Sequence, residues 1–201
     1  MLDRAAIALL RPGVERLARV AVQAGIGANA MTLTGFAIGM VAAALVAAGA
    51  YGWAIAALLL SRLCDALDGA IARQTRVTDA GGFLDIALDF LFYAAIPLGF
   101  ALADPARNAL AAAVLLAAFV GTGSSFLAFA VIAAKRGLTS LDYPDKSFYF
   151  VGGLTEATET LAVFIAMCLW PQAFPVLAGV FAALCLITTA TRIAWGWRQF
   201  R

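Results

Sequence analysis

Asp65, Asp68, Asp85 and Asp89 fall within 25 residues and sit inside or at the ends of two apolar stretches. An aspartate at the centre of a membrane helix costs about 2.5–3.5 kcal/mol. Four of them must therefore face away from lipid, toward a cation or a water-filled cavity. At about 100° per residue, Asp68, Gly69, Ala72, Arg73 and Arg62 all lie within about 80° of Asp65. One helix face thus carries two acids, two very small residues and two arginines. On the next helix, Gly81 and Asp89 each lie about 40° from Asp85. A short connection makes the two helices antiparallel neighbours, so four carboxylates can meet near one membrane surface. Oxygen-only ligands suit Mg²⁺ or Mn²⁺, and four acids have capacity for two such ions. Gly69, Ala72 and Gly81 leave room for a bulky polar ligand against the helix backbones.

The rest of the composition narrows the chemistry. Histidine is absent, which removes Ser-His-Asp hydrolysis, phosphohistidine chemistry and His-ligated zinc catalysis. Cys64, Cys168 and Cys185 form no CxxC pair and stand in apolar stretches, as buried small hydrophobes do. What remains for chemistry is carboxylate, Lys/Arg, hydroxyl and an oxygen-preferring metal.

The elements that hold these groups read as membrane helices. The 201 residues are 64% hydrophobic and 13% charged, against about 45–50% and about 25% in soluble domains. A span needs roughly 20 apolar residues. Six such segments are read at 30–50, 53–76, 81–103, 107–134, 147–170 and 173–196. The expected fold is all-α: one membrane domain over 1–201, with six transmembrane helices behind an N-terminal interfacial helix over 1–25. In that helix Leu2, Ile7, Leu9, Leu10, Val14, Leu17 and Val20 alternate with arginines, which suits the headgroup plane. Charged residues and Pro12 interrupt the start of the chain, so no cleavable signal is expected. On an alternating path, twelve of the fourteen basic residues fall on one face. The positive-inside rule then puts both termini in the cytoplasm.

The pattern D-x-x-D-G-x-x-A-R followed by G-x-x-x-D-x-x-x-D resembles the signature of the CDP-alcohol phosphatidyltransferase family. Here it reads Asp65, Asp68, Gly69, Ala72, Arg73, Gly81, Asp85 and Asp89, with all eight positions matched in type and order. The resemblance implies that Asp65, Asp68 and Asp85 hold metal, and that Asp89 contacts metal while serving as general base. It implies that Gly69 and Arg73 contact a CDP group, with Ala72 and Gly81 beside them. It further implies a homodimer in the inner (cytoplasmic) membrane of a bacterium, with the active site facing the cytoplasm. The reaction so implied is metal-dependent transfer of a phosphatidyl group from CDP-diacylglycerol to a small alcohol, releasing CMP, in phospholipid biosynthesis. No nucleic-acid partner is expected. The alternatives are transfer of a CDP-linked headgroup to a lipid alcohol, and a cation transporter using the same acids.

Family members often carry Pro-Asn-x-x-T at the start of span one, lining the nucleotide pocket. This chain keeps Asn29 and Thr32 but has Ala28 in place of the proline. Asn29 otherwise reads as the cap of that span. Glu156 and Glu159 share a face of span five; they either bind the acceptor or bridge to Arg62. Lys135, Lys146 and Arg192 stand at cytoplasmic helix ends, as candidate phosphate holders for the acceptor or as ordinary flanking charges. The lean is toward a phosphorylated polyol. Gly121, Gly123, Ser124 and Ser125 suit close helix packing, within the chain or across a dimer.

Overall fold

The computed structural model describes residues 2–137, 155 and 157–201. These form α1 (Leu2–Gln23), α2 (Ala28–Ala47), α3 (Tyr51–Gln74), α4 (Asp79–Ala103), α5 (Pro105–Lys135), α6 (Ala157–Leu169), a 3₁₀ turn (Pro171–Ala173) and α7 (Phe174–Phe200). No strand occurs among the described residues. Lys146, Glu156 and the first part of the expected span 147–170 lie outside them.

Among the described residues, four stretches are long and apolar enough to cross a membrane: α2, α4, α5 and Pro171–Phe200. The 24-residue α3 carries Arg62, Asp65, Asp68 and Arg73, which keep it out of that set. Among its described residues α6 is an apolar helix of 13.

Local signals set the ends. α1 and α2 each close with a glycine in the left-handed region, Gly25 (φ 77°) and Gly49 (φ 73°). At both, paired backbone bonds run back from the glycine and its successor: Gly25 N to Val22 O with Ile26 N to Ala21 O, and Gly49 N to Val46 O with Ala50 N to Leu45 O. This is the Schellman ending, in which glycine avoids the Cβ penalty. Thr78 caps α4 by accepting from Gly81 N at 3.1 Å, and Asp104 caps α5 by accepting from Arg107 N at 3.2 Å, ahead of Pro105. The cap of α2 is Gly27, not Asn29, which stands inside the first turn.

α2 is the central post. It packs closely against both α3 and α4, while α3 and α4 hardly touch backbone to backbone. The two acid helices face one another through their side chains, Asp65 and Asp68 meeting Asp85 across the gap, and both lean on α2. Glycines make the approach possible. A Cβ on Gly35 would stand 2.9 Å from Cys64 Cβ, and one on Gly39 would stand 2.5 Å from Phe92 Cδ2. α5 completes the bundle by packing on α4 and α7. Gly123 meets the Phe90 ring and Gly121 meets Thr189, so these two glycines serve packing within the chain. The core is ring-rich: Phe92, Phe100, Phe164 and Phe174 are fully shielded, and Phe100 stacks on Phe174 at 4.4 Å. Shape-matched rings suit a bundle whose helices gain little from hydrophobic exclusion in lipid.

α1 is tied to α3. Ala18 and Ala21 pack against Ala70 and Ile71, and Gln74 Nε2 donates to the Glu15 carbonyl at 3.1 Å. Leu17 and Val20 remain exposed at 51% and 63%. On the same helix Arg11 Nε donates to Glu15 at 2.7 Å, and that bond holds the Glu15 carboxyl below the usual range.

Candidate active site

α3 contributes Asp65 and Asp68, and α4 contributes Asp85 and Asp89. Asp65, Asp68 and Asp85 each offer an oxygen within 4.8 Å of the others. At that distance and an effective dielectric near 20, each ionised pair repels by about 3.5 kcal/mol. Asp68 is 7% exposed, and its Oδ2 is shielded from solvent with no hydrogen-bond partner among the described residues. A buried, unpaired carboxylate oxygen inside an all-oxygen cluster is what a hard divalent cation satisfies. These three residues therefore fit Mg²⁺ or Mn²⁺.

Asp89 stands outside this cluster of three. Arg62 holds it, with Nη1 2.8 Å from Asp89 Oδ1 and 3.3 Å from Asp65 Oδ1. The guanidinium lies 4.0 Å above the centre of the Phe92 ring. Sequence reasoning put Arg62 on the right face but gave it no partner among the aspartates. The available signal was a lone arginine deep in an apolar span, three residues before Asp65. The alternative bridge from Glu159 to Arg62 is not made; Arg62 pairs with Asp65 and Asp89 instead. Glu159 is half-buried, with Oε2 shielded and unpaired among the described residues.

Two cavities flank the acids. A cleft of about 230 Å³ is lined by Asn29, Thr32, Asp68, Gly69, Ala72, Arg73, Gly81 and Asp85, and also by Arg76 and Thr78. Every residue expected at the donor site lines it. The close fit explains the small residues: a Cβ on Gly69 would stand 3.3 Å from Arg73 Nη1, and one on Gly81 would stand 3.0 Å from Asn29 Oδ1. The second cavity, about 700 Å³, lies between α4, α5, α6 and α7. Asp89 and Arg192 line it with Thr122, Thr155 and Thr160, and its remaining walls are mostly apolar, among them Phe90, Leu116 and Phe119. A small space lined by Thr32, Arg62, Asp65, Asp85 and Asp89 shares Thr32 and Asp85 with the cleft and Asp89 with the larger cavity. Arg192 Nη1 donates to the Thr122 carbonyl at 3.1 Å. Lys135 is exposed at the end of α5 and lines neither cavity.

Chemically, this is a three-acid cluster that can hold a cation, set between a polar cleft with an arginine and a larger chamber that a carboxylate borders. Such a set can neutralise a phosphate ester and take a proton from a second reactant.

Comparison with known proteins agrees. Residues 26–193 match the family described as CDP-alcohol phosphatidyltransferase. The chain is 52% identical over 197 residues to the inner membrane protein YnjF of Escherichia coli (strain K12), covering 98% of this chain and 96% of that one. It is 29% identical over 175 residues to archaetidylinositol phosphate synthase of Pyrococcus horikoshii, covering 80% of this chain and 89% of that one. The fold resembles the solved phosphatidylinositol phosphate synthase of Mycobacterium tuberculosis with CDP-DAG bound, at TM-score 0.67 and 22% identity over 92% of this chain and 93% of that one. A second structure of that enzyme is a complex with manganese and citrate. With the signature, the fold and the family match in agreement, this chain belongs to the CDP-alcohol phosphatidyltransferase family.

Proposed function

We propose that this protein transfers a phosphatidyl group from CDP-diacylglycerol to a small alcohol and releases CMP. The observation that carries the reading is the order of the site: polar cleft, three-acid cluster, Asp89, large cavity, with Asp85 and Asp89 at the junctions. The cleft takes the CDP end of the donor. Arg73 lines it as a counter-charge for the diphosphate, and Asn29, Thr32 and the small Gly69, Ala72 and Gly81 shape its walls. Asp65, Asp68 and Asp85 would hold the divalent ion, and Asp89, paired with Arg62, stands beside them. When bound, such an ion supplies charge neutralisation and activation of the phosphorus. Asp89 accepts the proton of the incoming hydroxyl. The new bond joins the acceptor oxygen to the lipid phosphorus; the bond from that phosphorus to CMP breaks, and its electron pair leaves on CMP.

The acceptor enters the 700 Å³ cavity, where Arg192 is the described cation facing it. Lys135, Lys146, Glu156 and Glu159 complete the proposed acceptor set. The synthase names of the P. horikoshii and M. tuberculosis proteins support a phosphorylated polyol. The apolar walls of the cavity support the second reading, headgroup transfer to a lipid alcohol. The architecture we propose has six spans, one domain over 1–201, α1 lying in the headgroup plane, and both termini in the cytoplasm. We place it as a homodimer in the bacterial inner membrane.

The test is CMP release by purified, detergent-solubilised protein given CDP-diacylglycerol and Mn²⁺ or Mg²⁺ with a panel of acceptors. The panel runs from phosphorylated polyols to serine, glycerol 3-phosphate and, with CDP-linked headgroups, diacylglycerol. Release that depends on one acceptor and stops with EDTA is expected. No release together with no metal-dependent nucleotide binding overturns the enzyme reading in favour of cation transport.

A further inference from the structure

Arg62 is the charged group at the site that neither metal holding nor donor binding requires. Its side chain is only 13% exposed. Three helices fix it. Phe92 of α4 lies beneath the guanidinium at 4.0 Å. Nη2 donates to Ser61 Oγ at 3.4 Å, and that hydroxyl donates in turn to the Gly35 carbonyl of α2 at 2.8 Å. Nη1 then reaches both Asp89 and Asp65. A charge needed only to offset nearby acids would not need such a seat.

The consequence is a division among the four acids. Asp65, Asp68 and Asp85 converge, and Asp89 stays out of their cluster, attached to Arg62. Asp65 belongs to both groups. A divalent ion at the three acids and the guanidinium of Arg62 are therefore like charges competing for shared anions. While Arg62 is in place, an ion held there would feel its repulsion, and Asp89 is paired with Arg62 outside the cluster. Asp89 instead borders the large cavity through which the acceptor would come.

We infer, resting on the metal-dependent reading above, that Arg62 is a positioning residue. It holds Asp89 off the metal cluster and aims it at the acceptor cavity, so that one of the four acids stays available to take a proton.

This assignment makes metal affinity and turnover move in opposite directions. In Arg62→Gln the repulsion is gone and Asp89 is released toward the cluster. Manganese binding, followed by the electron paramagnetic resonance of free Mn²⁺, should tighten by at least about tenfold. CMP release at saturating manganese should fall by about tenfold or more, because the proton acceptor is no longer aimed. A merely structural role would weaken both. Arg62→Lys keeps the charge but cannot fork between two carboxylates while stacked on a ring. It should bind manganese within about threefold of wild type and still lose turnover, and it serves if the glutamine variant does not fold. Full turnover by Arg62→Lys overturns the inference. So does manganese binding in Arg62→Gln that is equal to or weaker than wild type, provided Asp68→Asn has lost it. Unchanged manganese binding in Asp68→Asn removes the metal site itself, and the inference with it.

Discussion

Replacing Gly39 by alanine perturbs the contacts that run from α2 to the acids. The added Cβ would stand 2.5 Å from Phe92 Cδ2, 3.0 Å from Phe92 Cε2 and 3.0 Å from Ser61 Oγ. Ordinary contacts begin at 3.4 Å, so the ring must retreat by about 0.9 Å or the helices must part. Phe92 has little room to retreat: it is 1% exposed, with the Tyr93 ring centre 5.2 Å away and Arg62 4.0 Å above it. Overpacking of this kind costs about 1–3 kcal/mol, and alanine's better helix propensity returns up to about 1 kcal/mol. A net loss of about 1 kcal/mol follows, or about 2–4 °C in melting temperature at this chain length. The chemical effect should be larger. The ring that moves is the seat of Arg62, and a misplacement near 1 Å at a reacting group costs about 10²-fold. Gly39→Ala should thus release CMP about tenfold to a hundredfold more slowly while losing only a few degrees. Gly179, inside α7 with nothing within 4 Å of its would-be Cβ, supplies the control: Gly179→Ala should leave CMP release unchanged and raise the melting temperature by up to a few degrees through helix propensity alone. Wild-type CMP release by Gly39→Ala would refute the coupling between Phe92 and Asp89. An unchanged melting temperature would refute the tight approach of α2 and α4.

Asp89→Asn should lower turnover by about 10²–10⁴-fold, as removal of a general base does, while CDP-diacylglycerol binding measured by equilibrium dialysis stays near wild type. Turnover close to wild type would rule Asp89 out as the base. Asp68→Asn leaves two charged ligands, and calorimetry should show manganese affinity reduced by about a hundredfold or more. Arg73→Ala removes the cation over Gly69 in the cleft; the apparent Kd for CMP should rise by about tenfold, roughly 1.4 kcal/mol, with manganese affinity little changed. Exhaustive EDTA treatment should stop CMP release, and added Mn²⁺ should restore it.

Periodicity in the sequence was enough to bring Asp65, Asp68 and Asp85 together, because intramembrane acids have few places to go and helical spacing fixes their faces. The family signature implies one donor site for Gly69, Ala72, Arg73 and Gly81, and all four line one cleft. What periodicity could not supply was the third body. Nothing in the spacing of α3 or α4 says that both rest on α2, since that depends on where Gly35 and Gly39 admit Cys64 and Phe92. For the same reason the spacing puts Arg62 on the correct face without pairing it with Asp89, whose oxygen lies on another helix. Hydropathy understated α3 because the charges that make the site lower its apolar score. The packing of Ala18 and Ala21 on α3 was invisible too, as two alanines among arginines carry no directional signal.

That last contact has a consequence for depth. Along a helix rising about 1.5 Å per residue, Asp68 lies about 4 Å from the level of Ala70 and Ile71, and Asp65 about 8 Å. α1 grips α3 at that level. In the headgroup plane that we propose for it, α1 would set the draught of the whole bundle, and the carboxylates would ride just below the waterline. A lipid diphosphate would then meet them at the height where it already sits, with its acyl chains still submerged. Lengthening or shifting α1 would change how far the substrate must rise or sink to react, without altering a single residue that touches it.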